Sequence, residues 1–376
     1  MEEVVASAPG KAILFGEHAV VYGHPAVALA IGMRTRVTVR PTDEPGVTLD
    51  GGRLRRRRHP HIARIVDHLW DRDLDPGIDL SIEGDLPSGA GLGSSAALAV
   101  AVAGALRAAR GRWVTEGGSS LDASTWLEGH ASDGREPVLF EQAAAPAPHA
   151  PGPGRTLLRG AASISLDEAS LLAHVAEAAS QRGRASPIDS AASAFGQTLL
   201  ISDQREPDAE WMLTRRMPTE DGERAWDLHR LPPPTWEDGL VLVIGSTGVH
   251  GSTSDLVAGV ARRRRSDPSI DQALSAIGAL VRRGIAALGT GDAEALGHAM
   301  SENHLLLRHI GVSSLELEDL VAAAGPTSLG AKLTGAGGGG CMMALTRDAA
   351  ATSAAIEAAG GTTWTSPLGV EGLRLE

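Results

Sequence analysis

At 376 residues, 43% of them apolar and 21% charged, the chain is long enough for two domains with separate cores. A net charge of −12 excludes a general nucleic-acid binder, and no run reads as a membrane span once the alanine-rich stretch after Ser95 is taken as a buried helix. The single cysteine, Cys341, excludes an internal disulfide framework and, with a Met1-Glu-Glu-Val-Val start that has no basic signal region, leads us to expect a cytoplasmic protein.

In chain order, Val4 to His18 reads as a strand, a Pro9-Gly10 turn, a second strand and a charged loop carrying Glu17 and His18. Val20 to Ile31 continues as loop and strand, and Thr35 to Arg40 alternates as another strand. Arg55 to Arg58 reads as a solvated loop. Pro60 to Arg72 has helical periodicity, and Ile78 to Ile82 is a strand that enters a glycine-rich stretch.

That stretch, Leu86-Pro87-Ser88-Gly89-Ala90-Gly91-Leu92-Gly93-Ser94-Ser95-Ala96, organises the rest of the chain. Three alternating glycines let the backbone take positive φ and approach a ligand closely. The serines then open a run of good helix formers to Arg110, so free N–H groups and the positive end of a helix dipole face the loop. The spacing is neither a Walker P-loop nor a dinucleotide fingerprint, yet the physics is that of an anion site.

From Gly111 to about Ser163 the pattern dissolves, and Ala143 to Arg155 is low-complexity. The segment Ala143 to Arg155 cannot hold a regular element, and we read about 111–165 as a partly disordered insertion, outside the catalytic machinery. Leu166 to Ala179 reads as an amphipathic helix carrying Glu177. It leads to Asp189, set among small and apolar residues, where a carboxylate is either a helix cap or a catalytic group. Leu240 to Ile244 opens a second domain as a strand, and helices follow at Ser254–Arg263, Ile270–Leu288 and Ala293–Leu307. Gly335 to Gly340 holds five glycines in six positions before a further strand. Such a run forfeits much backbone entropy and calls for a very close approach by another chain segment or a ligand.

Composition adds one clue. Of 34 basic residues, all but Lys11 and Lys332 are arginine, and Asn303 and Tyr22 are the sole asparagine and tyrosine. Residues kept against such a bias are candidates for chemistry that their substitutes cannot do. Both lysines fall in glycine-rich motifs.

Three motifs now stand in one order: Pro9-Gly10-Lys11 through Gly16-Glu17-His18, Leu86 through Ala96, and Lys332-Leu333-Thr334-Gly335 through Gly340. Together they resemble the signature motifs of the GHMP kinases. The tail Glu17-His18-Ala-Val-Val-Tyr-Gly-His-Pro-Ala26, with Ser252 to Val260 and Glu302-Asn303, is most similar to the mevalonate kinase family. The resemblance lapses at about 111–165 and 203–235.

It implies an α+β fold of two domains. The first, about 1–200, would be ribosomal-S5-domain-2-like with a left-handed βαβ unit; the second, about 236–376, would be ferredoxin-like, with the site between them. It implies ATP and Mg²⁺ as cofactors and phosphorylation of (R)-mevalonate to 5-phosphomevalonate on the way to isoprenoids. Phosphomevalonate, the 3-hydroxyl of mevalonate or another small alcohol are alternative acceptors within the same fold. A non-catalytic sensor is the alternative of another class, which joint retention of Lys11, Ser95 and Asp189 disfavours. By the same resemblance Ser88 to Ser95 (Ser88, Gly89, Ala90, Gly91, Leu92, Gly93, Ser94, Ser95) would wrap the ATP phosphates, and Ser95 with Glu177 would hold Mg²⁺. Lys11 would contact the transferred phosphate and lower the alcohol's pKa, while Asp189 would orient or deprotonate that alcohol. Glu17, His18, Thr253, Gly335, Ala336 and Gly337 would line the substrate side. No nucleic-acid or membrane partner is expected, and a homodimer is one option for assembly. The chain departs from the family at Pro187, where a glycine is usual, and at Gly196-Gln197, where Gly-Gly is usual, so the loop holding Asp189 is expected to be set differently.

Overall fold

The structure of the chain is a computed structural model that describes residues 2–70, 75–113, 131–134, 166–180, 185–207, 209–219, 222–232, 236 and 239–376; all that follows concerns these. The chain opens with β1 (Val4–Phe15), a 3₁₀ turn at Ala19–Tyr22 and the long β2 (Ala26–Thr42), then β3 (Val47–Leu49) and β4 (Gly52–Arg53). Next come α1 (Pro60–Leu69), β5 (Gly77–Gly84), α2 (Ser94–Trp113), β6 (Ala131–Gly134), α3 (Leu166–Ser180) and α4 (Ile188–Phe195). A run of strands follows: β7 (Thr198–Ser202), β8 (Glu210–Thr219), β9 (Gly222–Arg230) and β10 (Val241–Ser246). Four helices then stand in line, α5 (Thr253–Ser266), α6 (Pro268–Thr290), α7 (Ala293–His309) and α8 (Leu315–Ala324). The chain ends with β11 (Gly330–Thr334), β12 (Cys341–Thr346), α9 (Ala349–Ala358), β13 (Thr362–Ser366) and β14 (Arg374–Leu375).

Ten strands form one sheet, ordered β4-β3-β5-β2-β7-β9-β8-β6, with β1 paired to β2 and to β14. A second, four-stranded antiparallel sheet has the order β11-β12-β10-β13. Its strands and helices run β-α-β-β-α-β, the ferredoxin-like arrangement expected from the resemblance. The last two-residue strand returns to the first sheet, Ala6 facing Leu375.

The first motif holds a surprise. Pro9-Gly10 is no turn, because β1 runs straight through it and β2 runs alongside. Between Pro9↔Arg34 and Lys11↔Ala30, β2 uses four residues where β1 uses two, so the irregularity is a bulge. Gly10 is required there: a Cβ would lie 2.4 Å from a Leu86 methyl and 2.7 Å from the Leu92 carbonyl. The bulge is where the glycine-rich loop crosses the strand, and the Lys11 N–H donates to Leu92 O at 2.9 Å.

α2 packs between the first sheet and helices α1, α3 and α4, and its alanines let all of them come close. α3 is read from its sequence as an amphipathic helix, but the structure gives it no broad exposed face. Its residues are buried on nearly every side, and the buried Glu168 pairs with Arg107 of α2 at 2.5 Å. Within the span read as an insertion, β6 extends the sheet by pairing with β8. Its remaining residues, 114–130 and 135–165, fall outside the described part of the chain. Among the described residues α6 is the one helix long and apolar enough to cross a membrane, with half of the relevant window buried within the fold. Arg55 to Arg58 form an exposed turn, as expected.

Candidate active site

Lys11 and Asp189 meet at the centre. Lys11 lies on β1 just past the point where β2 bulges, and Asp189 is the second residue of α4. Lys11 Nζ stands 3.2 Å from Asp189 Oδ1, with the lysine side chain 4% exposed and the aspartate 26%. The cap reading of Asp189 fails, since Pro187 holds the N-cap position and no side chain caps α4. Pro187 costs nothing there: its carbonyl accepts from Ala191 N and Ser190 Oγ, and a helix start needs no N–H from it. The cost of the second departure is visible at Gln197, a non-glycine residue held at φ 57.

The glycine-rich loop arches over this pair. Gly89, Gly91 and Gly93 all take positive φ, as their alternation predicts. A Cβ on Gly93 would sit 2.8 Å from Lys11 Cγ, so the glycine makes room for the lysine. Ser94 and Ser95 start α2, Ser95 being exposed; Ser88 and Gly89 are exposed as well, while Ala90 and Leu92 anchor the loop in the core.

The second glycine run packs against the first. A Cβ on Gly335 would be 3.3 Å from Gly91 O, and one on Gly340 3.0 Å from Ala90 O. Five of its residues, Gly335 and Gly337 to Gly340, have positive φ. The run is pinned on its far side by Gly338 N to Val312 O at 2.8 Å and Gly340 N to Val249 O at 2.6 Å. Ile13 N donates to Thr334 Oγ1 at 2.8 Å, which ties β1 to β11. Ala336 accepts from His18 Nε2 at 2.8 Å; a carbonyl only accepts, so that nitrogen carries the proton. Burial pushes the His18 pKa below its ordinary value, outweighing the Ala336 hydrogen bond and the nearby Glu17 charge.

Glu17 is 1% exposed. It forms an ion pair with the buried Lys332, and Asn303 Nδ2 donates to its second oxygen at 3.1 Å. Neither Lys332 nor Asn303 was among the predicted site residues, although both were singled out by rarity. His250 was missed entirely; its Nδ1–H lies 3.3 Å from Gly89 O, above the phosphate-type loop. Thr253 sits exposed at the start of α5, two residues past Gly251, whose Cβ position is 2.5 Å from Gly337 O.

α2 and α3 run antiparallel through the Arg107–Glu168 pair. At about 1.5 Å per residue, Glu177 lies about 13 Å past Glu168 and Ser95 about 18 Å before Arg107, which puts both toward one end of the helix pair. Among the described residues no group of three His, Cys, Asp or Glu side chains is clustered as a metal site.

Residues 60–134 match the GHMP kinases N terminal domain family and residues 284–362 the GHMP kinases C terminal family. The chain is 32% identical over 345 residues to mevalonate kinase of Archaeoglobus fulgidus, covering 91% of this chain and 92% of that one. This chain belongs to the mevalonate kinase family of GHMP kinases. It is also 32% identical over 407 residues to mevalonate kinase of Pyrococcus horikoshii, covering 99% and 98%. In fold it is similar to the crystal structure of L. major mevalonate kinase in complex with R-mevalonate, with a TM-score of 0.65, 24% identity, and 98% and 96% of the two chains covered.

Proposed function

We propose that the chain transfers the γ-phosphoryl group of ATP to the primary hydroxyl of (R)-mevalonate, giving 5-phosphomevalonate and ADP. One observation carries the reading: the only lysine of the first sheet meets Asp189 at 3.2 Å directly beneath a glycine loop that ends in a helix N-terminus, in a member of this family.

Phosphoryl transfer asks for positioning and charge neutralisation rather than covalent help. The positive-φ glycines of residues 89–93 and the start of α2 offer N–H groups to the β- and γ-phosphates. Lys11 stabilises negative charge on the group in flight and favours ionisation of the attacking hydroxyl. Asp189 accepts the hydroxyl proton as the new O–P bond forms and the bond to the ADP oxygen breaks. The glycine run 335–340 and His18 wall the acceptor side, with His18 acting as a neutral group because of its burial.

For Mg²⁺ the test is the donor set. A hydroxyl from Ser95 and a carboxylate from Glu177 are hard oxygen ligands, and a cation that keeps phosphates and water in its shell needs no third protein carboxylate. They fit, and the bound ion would neutralise charge on the β- and γ-phosphates. We further propose units of about 1–200 and 236–376 as the two domains, and the cytoplasm as the compartment, where the buried thiol of Cys341 stays reduced.

The test is a coupled ADP-release assay with mevalonate, phosphomevalonate, homoserine and galactose side by side, the phosphorylated position being read by ³¹P NMR. Turnover on mevalonate giving the 5-phosphate is expected. Turnover on another alcohol alone would keep the mechanism and overturn the substrate; ATP binding without turnover on any would overturn catalysis.

A further inference from the structure

Lys11 has a role in the mechanism above, but Lys332, the other lysine of an arginine-rich chain, has none. It is fully buried on β11. Its ammonium donates to Ile13 O at 3.2 Å, to Leu333 O at 2.7 Å and to Glu17 Oε1. Three donors thus meet three acceptors, with none left over. A planar guanidinium with five donors matches neither the count nor the space, which explains why lysine persists here. Both Glu17 oxygens are engaged, one on Lys332 and the other on Asn303. With both oxygens engaged and 1% exposure, the carboxylate is held within the fold by its protein partners.

The partners of this cluster are placed where they matter. Ile13 lies two residues beyond Lys11 on β1, and Thr334, two residues beyond Lys332, takes a second bond from Ile13. His18, next to Glu17, is held at φ 60 and bonded to Ala336 in the glycine run. Asn303 brings in α7. Strand β1, the first-motif turn, α7 and β11 are therefore clasped at one buried point behind the reacting groups.

We infer that Lys332, acting through Glu17 and Asn303, is a positioning residue that sets Lys11 and the glycine run at their working separation, and that Glu17 is part of this clasp instead of a substrate contact. This rests on the proposed kinase reading for its kinetic part only. A buried ion pair gains little net stability, yet removing one member leaves an uncompensated charge, so the clasp is exposed by removing one side and then both.

The experiment compares wild type, Glu17→Gln, Lys332→Met and the double variant, by steady-state kinetics on mevalonate and ATP and by thermal melting. Glu17→Gln is expected to leave KM for mevalonate near wild type while kcat falls about 10- to 100-fold, the scale of a misplaced reacting group. Lys332→Met is expected to be worse in kcat and melting temperature, and the double variant to recover part of both, because it buries no lone charge. A KM for mevalonate that rises in Glu17→Gln at unchanged kcat would overturn the inference, since the carboxylate would then touch substrate. Losses that simply add in the double variant would overturn it as well. If wild type itself does not turn over mevalonate, the substrate assignment fails, while the melting temperatures still decide the clasp.

Discussion

Replacing Asp189 by alanine separates the two tasks assigned to the site. The carboxylate stands 3.2 Å from Lys11 Nζ, and at an effective dielectric of about 20 their attraction is about 5 kcal/mol before any desolvation cost. Because the aspartate is about a quarter exposed, the net loss of stability is expected to be smaller, about 1–3 kcal/mol. The catalytic loss is larger. A positioned proton acceptor contributes about 10²- to 10⁴-fold, and at about 1.36 kcal/mol per tenfold this is about 3–5 kcal/mol of barrier. ATP binding moves the other way: Lys11 loses an anionic neighbour and keeps its full charge for the phosphates, so affinity is held or tightened. ADP release would be measured alongside calorimetric titration with a non-hydrolysable ATP analogue. Asp189→Asn belongs in the same series, because it keeps a hydrogen-bond acceptor for Lys11 but cannot take a proton at neutral pH. A kcat for Asp189→Ala within tenfold of wild type would refute the assignment. A fast Asp189→Asn beside a slow Asp189→Ala would show that the group orients the hydroxyl without accepting its proton.

Gly93→Ala is expected to lose most activity, because its Cβ would stand 2.8 Å from Lys11 Cγ, whereas Gly46→Ala is expected to lose about 1–2 kcal/mol of stability with activity intact. Both positions have positive φ, but nothing lies within 4 Å of the Gly46 Cβ, so kinetics of the two variants isolate the effect on the lysine. Gln197→Gly should raise the urea midpoint, since release from φ 57 outweighs the entropy glycine adds to the unfolded chain by up to about 1 kcal/mol; a lower midpoint would count against strain there. Burial pushes the His68 pKa down to about 3, so below 6.5 the unfolded chain binds a proton that the folded chain refuses, and stability falls as pH falls from 6.5 toward 3. By pH 5 this amounts to about 2 kcal/mol, and His68→Leu should flatten the pH dependence of the denaturation midpoint over that range.

The glycine loop proposed to bind phosphate was legible because its conformation is written in local chemistry. Alternating glycines before paired serines state the backbone geometry almost directly, and Gly89, Gly91 and Gly93 all adopt positive φ. Pro9-Gly10 shows where local reading stops, for the same two residues that make a turn elsewhere continue a strand when a long partner runs alongside and bulges opposite them. β8 escaped notice for a different reason. Its inward-facing positions include Arg215, fully buried against Asp167, so an apolar alternation is broken by a paired charge. β14 has two residues and exists only because β1 offers an edge. Glu17 was legible as important from its glycine-flanked loop beside a histidine, but its contacts with Lys332 and Asn303 were not, because those residues lie about 300 positions away in the chain and meet it only in three dimensions.

The two glycine runs also explain each other. Gly335 approaches Gly91, and Gly340 approaches Ala90, backbone against backbone with no side chain between. Two loops in such contact cannot move separately, because any relative shift changes both at once. The second run is held at Val312 and Val249, and β11 at its start is held to β1 by Thr334 and Lys332. The first glycine run, the Lys11 strand and the second glycine run are therefore set by one continuous set of contacts, backbone against backbone between the runs and through the Thr334 and Lys332 side chains to β1. Its tolerance for substitution differs sharply from place to place. Gly337, whose Cβ would lie 2.0 Å from Val312 O, has no room for any side chain, whereas Gly91, with nothing closer than 3.6 Å, has room and is limited by its φ of 80. Gly91→Ala should therefore fold and retain weakened ATP binding, while Gly337→Ala should displace the run and fail in both nucleotide affinity and turnover. Equal effects from the two substitutions, measured by ATP titration and ADP release, would show that the runs are not coupled through their backbones.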